Sequence, residues 1–172
     1  ICHSVRAPRR IEPPRSSFLL TVIGHLRYVK DPFRAAYALN HLPTESRIRL
    51  MQLGSAMSGG FATKARALMR REPRYRWLGE RSHTEAMRWL GRSHVMVISS
   101  VMEGGAHVVS EAIAAGVPVI ASRIPGNVGL LGKDYPGYFP VGDERSLAAL
   151  LRCAETDGGF LRSLEVSVSA RQ

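Results

Sequence analysis

The sequence holds only two cysteines, Cys2 and Cys153, too few for a disulfide framework. Such thiol usage points to a reducing, cytoplasmic setting. No run of about 18 apolar residues exists, which argues against a membrane-spanning helix. The opening ICHSVRAPRR has neither the apolar core of a secretory signal nor an initiator methionine, so the expectation is a piece cut from a longer chain. Aromatics make up 7% of the residues and are not interleaved with the basic ones. A stacking platform for single-stranded nucleic acid is therefore not expected, and no nucleic-acid module motif is present. Also missing are a G-x-G-x-x-G turn after the first strand, a Gly-x-Ser-x-Gly elbow, a metal-spaced Cys/His cluster and an Asp-x-Asp pair. The string GNVGLLGKD (126–134) fails as a P-loop, because Asn127 stands where a glycine is needed and Asp134 where a hydroxyl is needed. Neither a metal nor a resident cofactor is expected.

What remains is the composition of one domain: 172 residues, 45% hydrophobic and 22% charged. The net charge of +10 comes from 24 Lys and Arg against 14 Asp and Glu. It fits either an anionic partner or a solvated basic surface. Residues 1–17, rich in Pro, Arg and Ser, read as a linker or interdomain hinge, and 18–172 as the folded domain. Apolar runs at 18–24, 48–54, 75–80, 94–100, 117–122 and 138–142 read as strands. Helical periods lie between them, at 31–42 behind Asp31-Pro32, 59–71, 82–92 behind Ser82 with Glu85, 106–116 closed by Gly116, and 143–157. The stretch 122–132 reads as a turn, and the C-terminal tail as a helix that soon frays. This alternation predicts a doubly wound, mostly parallel, Rossmann-like α/β sheet. Ligands bind such sheets beyond the carboxyl ends of the strands, so the strand-to-helix turns carry the function.

The fourth turn is the informative one. VMEGGAH leads from a strand into the helix that carries Glu111. Gly104 and Gly105 allow close backbone approach, and the amides of Gly105, Ala106 and His107 would point from a helix N-terminus as an anion site. Glu111 stands about 7 Å further along that helix at 1.5 Å per residue, within reach of a sugar diol attached to the anion. Glu103 lies on the other side. Spacing alone leaves a second account open, in which Glu103 is a helix-start acid and Glu111 a surface residue.

Glu103 and Glu111, the glycine pair and the following EAIAAGVPVIAS together resemble the donor-binding motif of retaining GT-B glycosyltransferases, family 4 (group 1). The likeness covers about residues 18–157 and implies the C-terminal, nucleotide-sugar-binding half of such an enzyme. It implies that Glu111 binds the nucleotide ribose and that Glu103 lies by the donor sugar. In the family's first turn, Gly-Arg-x-x-x-x-Lys, the cations meet the diphosphate. Here Gly24, His25 and Lys30 stand at those positions, so His25 or the nearby Arg27 shares that task with Lys30. The likeness also implies that backbone near Arg81 and Ser82 faces the base. After the fifth strand, IPGNVGLLG departs from the family's Gly-x-x-Glu.

A narrower resemblance, carried by GHLRYVKDPFRAA, RYRWLGE and SSVMEGGAHVVSEAIAAGVPVIASRIPGNVGLLGKDYPGYFPVGD, is to the selenosugar synthases of selenoneine biosynthesis. It implies UDP-N-acetylglucosamine as donor and selenophosphate as acceptor. The expected catalytic residues are Glu103, Lys30 and Arg27. The donor site comprises Gly24, His25, Arg81, Ser82, Gly104, Gly105, Ala106, His107 and Glu111. The expected partners are a UDP-sugar, a small-molecule acceptor and an N-terminal acceptor domain outside this sequence, without which the chain turns nothing over. A glycosyltransferase of another acceptor class, or a non-catalytic basic binding module, are the alternatives.

Overall fold

The computed structural model describes residues 8–172. Six strands, β1 (Phe18–Ile23), β2 (Ile48–Leu53), β3 (Tyr75–Trp77), β4 (Val95–Ile98), β5 (Val119–Ser122) and β6 (Tyr138–Phe139), form one sheet in the order β3-β2-β1-β4-β5-β6. Every pairing is parallel. β4 and β5 are buried at every position, as apolar runs covered on both faces should be. The doubly wound expectation holds.

Among the described residues seven helices cover the sheet: α1 (Arg34–Leu39), α2 (Gly59–Arg71), α3 (His83–Gly91), α4 (His107–Ala115), α5 (Pro125–Leu131), α6 (Glu144–Thr156) and α7 (Gly158–Ser169). Helix α1 packs on α6 and α6 on α7, while α3 packs on α4 and α4 on α5. Two boundaries differ from expectation. Asp31 does not cap α1; it ends a 3-10 turn at Tyr28–Lys30 in a left-handed conformation, and its carboxylate takes the Arg34 guanidinium. The helix starts later, behind Phe33. The segment expected as a bare turn at 122–132 contains α5, entered through Pro125 at the position where a missing N–H costs nothing. The tail, expected to fray, stays helical to Ser169, and Gln172 donates back to the Ile113 carbonyl.

Residues 8–17 form no helix or strand. Ile11 N–H nevertheless donates to the Gly91 carbonyl, and the Arg10 guanidinium donates to the carbonyls of Gly91 and Ser93, which docks this segment on the end of α3. Beside it, β1 and β4 are clipped at their starts: Leu19 N–H donates to His94 Nδ1 at 2.8 Å, and His94 N–H returns to the Leu19 carbonyl. The imidazole stacks on Phe18 at 4.4 Å. Burial, then the nearby Arg10 and Arg47, pull the His94 pKa down from 6.5 to about 4.

The folded chain therefore binds fewer protons at His94 than the unfolded chain between about pH 6.5 and 4. The stability is complete above that window and is lost as pH falls through it. Thermal melts from pH 7 to pH 4 should show a decline to which His94 contributes on the order of 1 kcal/mol, given its partial exposure. In His94→Gln the decline should be shallower; an identical slope would remove His94 from the account.

Candidate functional site

The strand order turns outward in both directions from the β1–β4 pair. The turns after these two strands run to opposite sides, which opens a crevice at their carboxyl ends. Lys30 reaches it from the first turn and Glu103 from the fourth, and the ammonium pairs with Glu103 Oε1. The same oxygen accepts from Ser100 Oγ at 2.8 Å. Both side chains are mostly buried but still open to the crevice, 21% and 12% exposed.

Behind this pair runs a supporting chain of hydrogen bonds. Ser122 Oγ donates to the Ser100 carbonyl, and Asn127 Nδ2 on α5 donates to the Ser122 carbonyl at 2.9 Å. Ser99 Oγ holds the Asp31 carbonyl at 2.8 Å, and Val101 N–H donates to the Val29 carbonyl, which ties the first turn to the fourth. Helix α5, missed in the sequence, thus braces the loop that presents Glu103. Its Gly126 faces the Glu103 carbonyl with no room for a side chain.

Gly105 has φ +120°, a backbone region that only glycine occupies without strain, and space is open beside both Gly104 and Gly105. Ala106 caps α4 without a side-chain hydrogen bond. Among the described residues the amides of Gly105, Ala106 and His107 donate to no acceptor in the chain. They stand unengaged at the positive end of the helix, where the dipole favours negative charge. One turn further on, Glu111 Oε1 meets His83 Nε2 at 2.7 Å. His83 is the first residue of α3 and was not singled out in the sequence. Its adjacency to the Ser82 cap was the available signal, but only the packing of α3 on α4 brings it to Glu111.

His25 is exposed and lies in the turn after β1, with Ser55 N–H at 3.3 Å and Ser55 Oγ at 2.9 Å from Nδ1. An amide can only donate, so Nδ1 is the acceptor and Nε2 carries the ring proton. Gly24, His25, Gly54, Glu80 and Arg81 line a cleft of about 190 Å3 beside the crevice. Ser82 lines no part of it: its amide and hydroxyl are committed to Glu85 in a capping box. Arg27 is exposed at the start of the 3-10 turn, and its guanidinium makes no hydrogen bond among the described residues. The structure therefore brings Lys30 and Glu103 together next to the α4 amides, sets Glu111 and the His25–Arg81 cleft beside them, and commits the Ser82 amide and hydroxyl to the α3 cap. No group of three or more His, Cys, Asp or Glu side chains among the described residues is arranged to hold a metal ion.

Residues 6–166 match the sequence profile of the family described as glycosyl transferases group 1. The chain belongs to this family. No curated protein matches the sequence significantly. Among solved structures, the chain is similar to Anabaena HepE in complex with UDP, with TM-score 0.75, 20% identity, and coverage of 91% of this chain and 45% of that one. It is also similar to a glycosyltransferase from Rickettsia africae (TM-score 0.77, 16% identity, coverage 92% and 44%). A third likeness is to sucrose-phosphate synthase from Thermosynechococcus elongatus (TM-score 0.79, 23% identity, coverage 92% and 41%). The likeness is one of fold, and the chain spans less than half the length of each of these proteins.

Within this group 1 glycosyltransferase domain, the Gly126 contact offers a direct test of how the Glu103 loop is held. A Cβ at Gly126 would overlap the Glu103 carbonyl oxygen and lie 3.1 Å from the Gly105 amide. Gly126→Ala should cost about 1–3 kcal/mol by overpacking, measured by chemical denaturation. The amide resonances of Gly104 to His107 should shift with it; a neutral substitution with unmoved resonances would show that α5 does not fix the loop.

Proposed function

We propose that this chain is the nucleotide-sugar-binding domain of a retaining glycosyltransferase and that its donor is a UDP-sugar. The observation that carries the reading is the row of groups at the carboxyl end of the sheet: Lys30 on Glu103, then three unengaged amides at the start of α4, then Glu111. A sugar, a diphosphate and a ribose have the same order of chemical demands. Family membership supports the assignment, and HepE, of similar fold, has been solved with UDP and with UDP-glucose.

In this reading the α4 amides and Lys30 receive the diphosphate. Lysine carries three N–H donors, so Lys30 can keep Glu103 and still offer two to phosphate oxygens. Glu103 Oε2 remains open to accept from a hydroxyl of the donor sugar, and Glu111 accepts from the ribose diol. The His25–Arg81 cleft takes the base, with backbone near Arg81 rather than Ser82 facing it. In transfer, the bond from the anomeric carbon to the diphosphate oxygen breaks, the acceptor nucleophile forms the new bond, and the departing UDP keeps the electron pair. Lys30, the His25 Nε2–H and the amides stabilise that developing charge. The acceptor side of the cleft belongs to a further domain outside the 172 residues.

Titration of UDP into the chain should show binding, and Glu111→Ala should weaken it at least tenfold by removing a charged acceptor for two hydroxyls. Unchanged affinity would refute the ribose role. No UDP binding, together with salt-sensitive binding to DNA, would favour a basic interaction module instead.

The finer assignment, N-acetylglucosamine transferred from UDP to selenophosphate with a C–Se bond replacing the C–O bond, rests on the likeness to selenosugar synthases. With the acceptor domain restored, UDP-N-acetylglucosamine and selenophosphate should yield UDP and the Se-glycosyl selenophosphate, which gives the selenosugar and inorganic phosphate once water cleaves the P–Se bond, all followed by mass spectrometry. Turnover only with other acceptors would place the protein in another acceptor class.

A further inference from the structure

We infer that His83 is the positioning residue that fixes the Glu111 carboxylate for recognition of the ribose 2′-hydroxyl. The inference rests on the donor-site reading above and concerns how that site tells ribose from deoxyribose. A glutamate side chain has three rotatable bonds and would otherwise sample several rotamers. Here it is held from outside its own helix. His107 stands one turn before Glu111 on α4, the spacing at which a local pair forms. The contact made is instead to His83, at the first position of α3, at 2.7 Å.

That donor is itself well fixed. The α3 start is closed by the reciprocal Ser82–Glu85 capping box, so the backbone carrying His83 has little freedom. Helix α3 also packs on α4, which sets the spacing between the two side chains. The Glu111 side chain is 23% exposed and His83 59%. An ordinary surface ion pair of this exposure contributes little to stability, so a stabilising role does not account for the contact; orientation does. His83 engages Oε1 alone. Oε2, which has no partner among the described residues, and the second lone pair of Oε1 stay available for two vicinal hydroxyls. Without His83 the carboxylate would have to be ordered by the ligand itself, and that cost would fall on the ribose contacts.

The test compares UDP with 2′-deoxy-UDP by calorimetric titration of the chain, in the wild type, His83→Ala, His83→Gln and Glu111→Ala. The wild type should prefer UDP by at least about tenfold. His83→Ala should weaken UDP by about tenfold and 2′-deoxy-UDP, which keeps only the 3′-hydroxyl contact to Glu111, by about threefold, so that the preference narrows. His83→Gln keeps an N–H donor and should retain most of the preference, a rescue that loss of a merely structural contact would not produce. Thermal melts should be unchanged, and if His83→Ala proves unstable, His83→Gln against His83→Leu makes the same comparison. Parallel weakening of both nucleotides, or an unaltered preference in His83→Ala, would overturn the inference while leaving the donor site intact if Glu111→Ala still impairs UDP binding. Failure of the wild type to bind UDP would overturn the donor-site reading, and this inference with it.

Discussion

The adjacency of β1 and β4 in the middle of the parallel sheet is the constraint on which the site depends. These strands are neighbours in space but far apart in sequence, and the chain leaves them in opposite directions. Two turns that share no local interaction are thereby brought to one crevice. Two hydrogen bonds between them, Val101 N–H to the Val29 carbonyl and the Ser99 hydroxyl to the Asp31 carbonyl, hold the turns in register before any ligand arrives. The Lys30–Glu103 pair is a consequence of that register and could not be formed within either turn alone.

The ion pair also solves an electrostatic problem posed by the crevice. A lone ammonium or carboxylate at this depth would lose hydration without compensation. Paired, and with Ser100 Oγ donating to the carboxylate, each charged group has protein partners in place of the lost water. The pair's two charges offset each other, so in the proposed donor site the amides at the start of α4 and the His25 N–H would add to what Lys30 offers an anion. Such dipoles are fixed by the backbone and need no rearrangement when charge develops on a leaving group. Recognition and stabilisation then use the same groups.

Much of this was legible in the sequence, and the limits have physical causes. Six strands and four of the five helices between them followed from apolar runs and periodicity, because covered parallel strands leave a clear apolar signature. Asp31-Pro32 misled because a capping acid and a 3-10 turn terminator use the same residue types, and only the left-handed backbone at Asp31 separates them. Helix α5 was hidden by Gly126 and Gly129, which lower helix propensity; Gly126 is there because the Glu103 carbonyl occupies the space of a side chain. Glu103, Glu111 and Lys30 could be nominated from turn position and motif. Their partners Ser100 and His83 could not, since each contact depends on how a turn folds or on which helices touch.

The arginine-rich composition has a related explanation. Composition alone presents +10 as a sign of an anionic partner. In the fold, many arginines are occupied within the chain. Arg34 pairs with Asp31 and Arg74 with Glu72, and each pairing holds the guanidinium pKa above its ordinary value, chiefly through the side-chain hydrogen bond. Arg74 also donates to the carbonyls of Leu39 and Pro43, Arg10 to those of Gly91 and Ser93, and Arg47 to that of Arg15. Most of these carbonyls lie at helix ends or connections, where intrahelical donors run out. A planar, multi-donor cation suits that task better than lysine. The excess charge is thus partly a by-product of using arginine to close backbone ends, while the ammonium paired with Glu103 in the crevice is that of a lysine, Lys30, whose three donors would let it serve a phosphate as well in the proposed donor site.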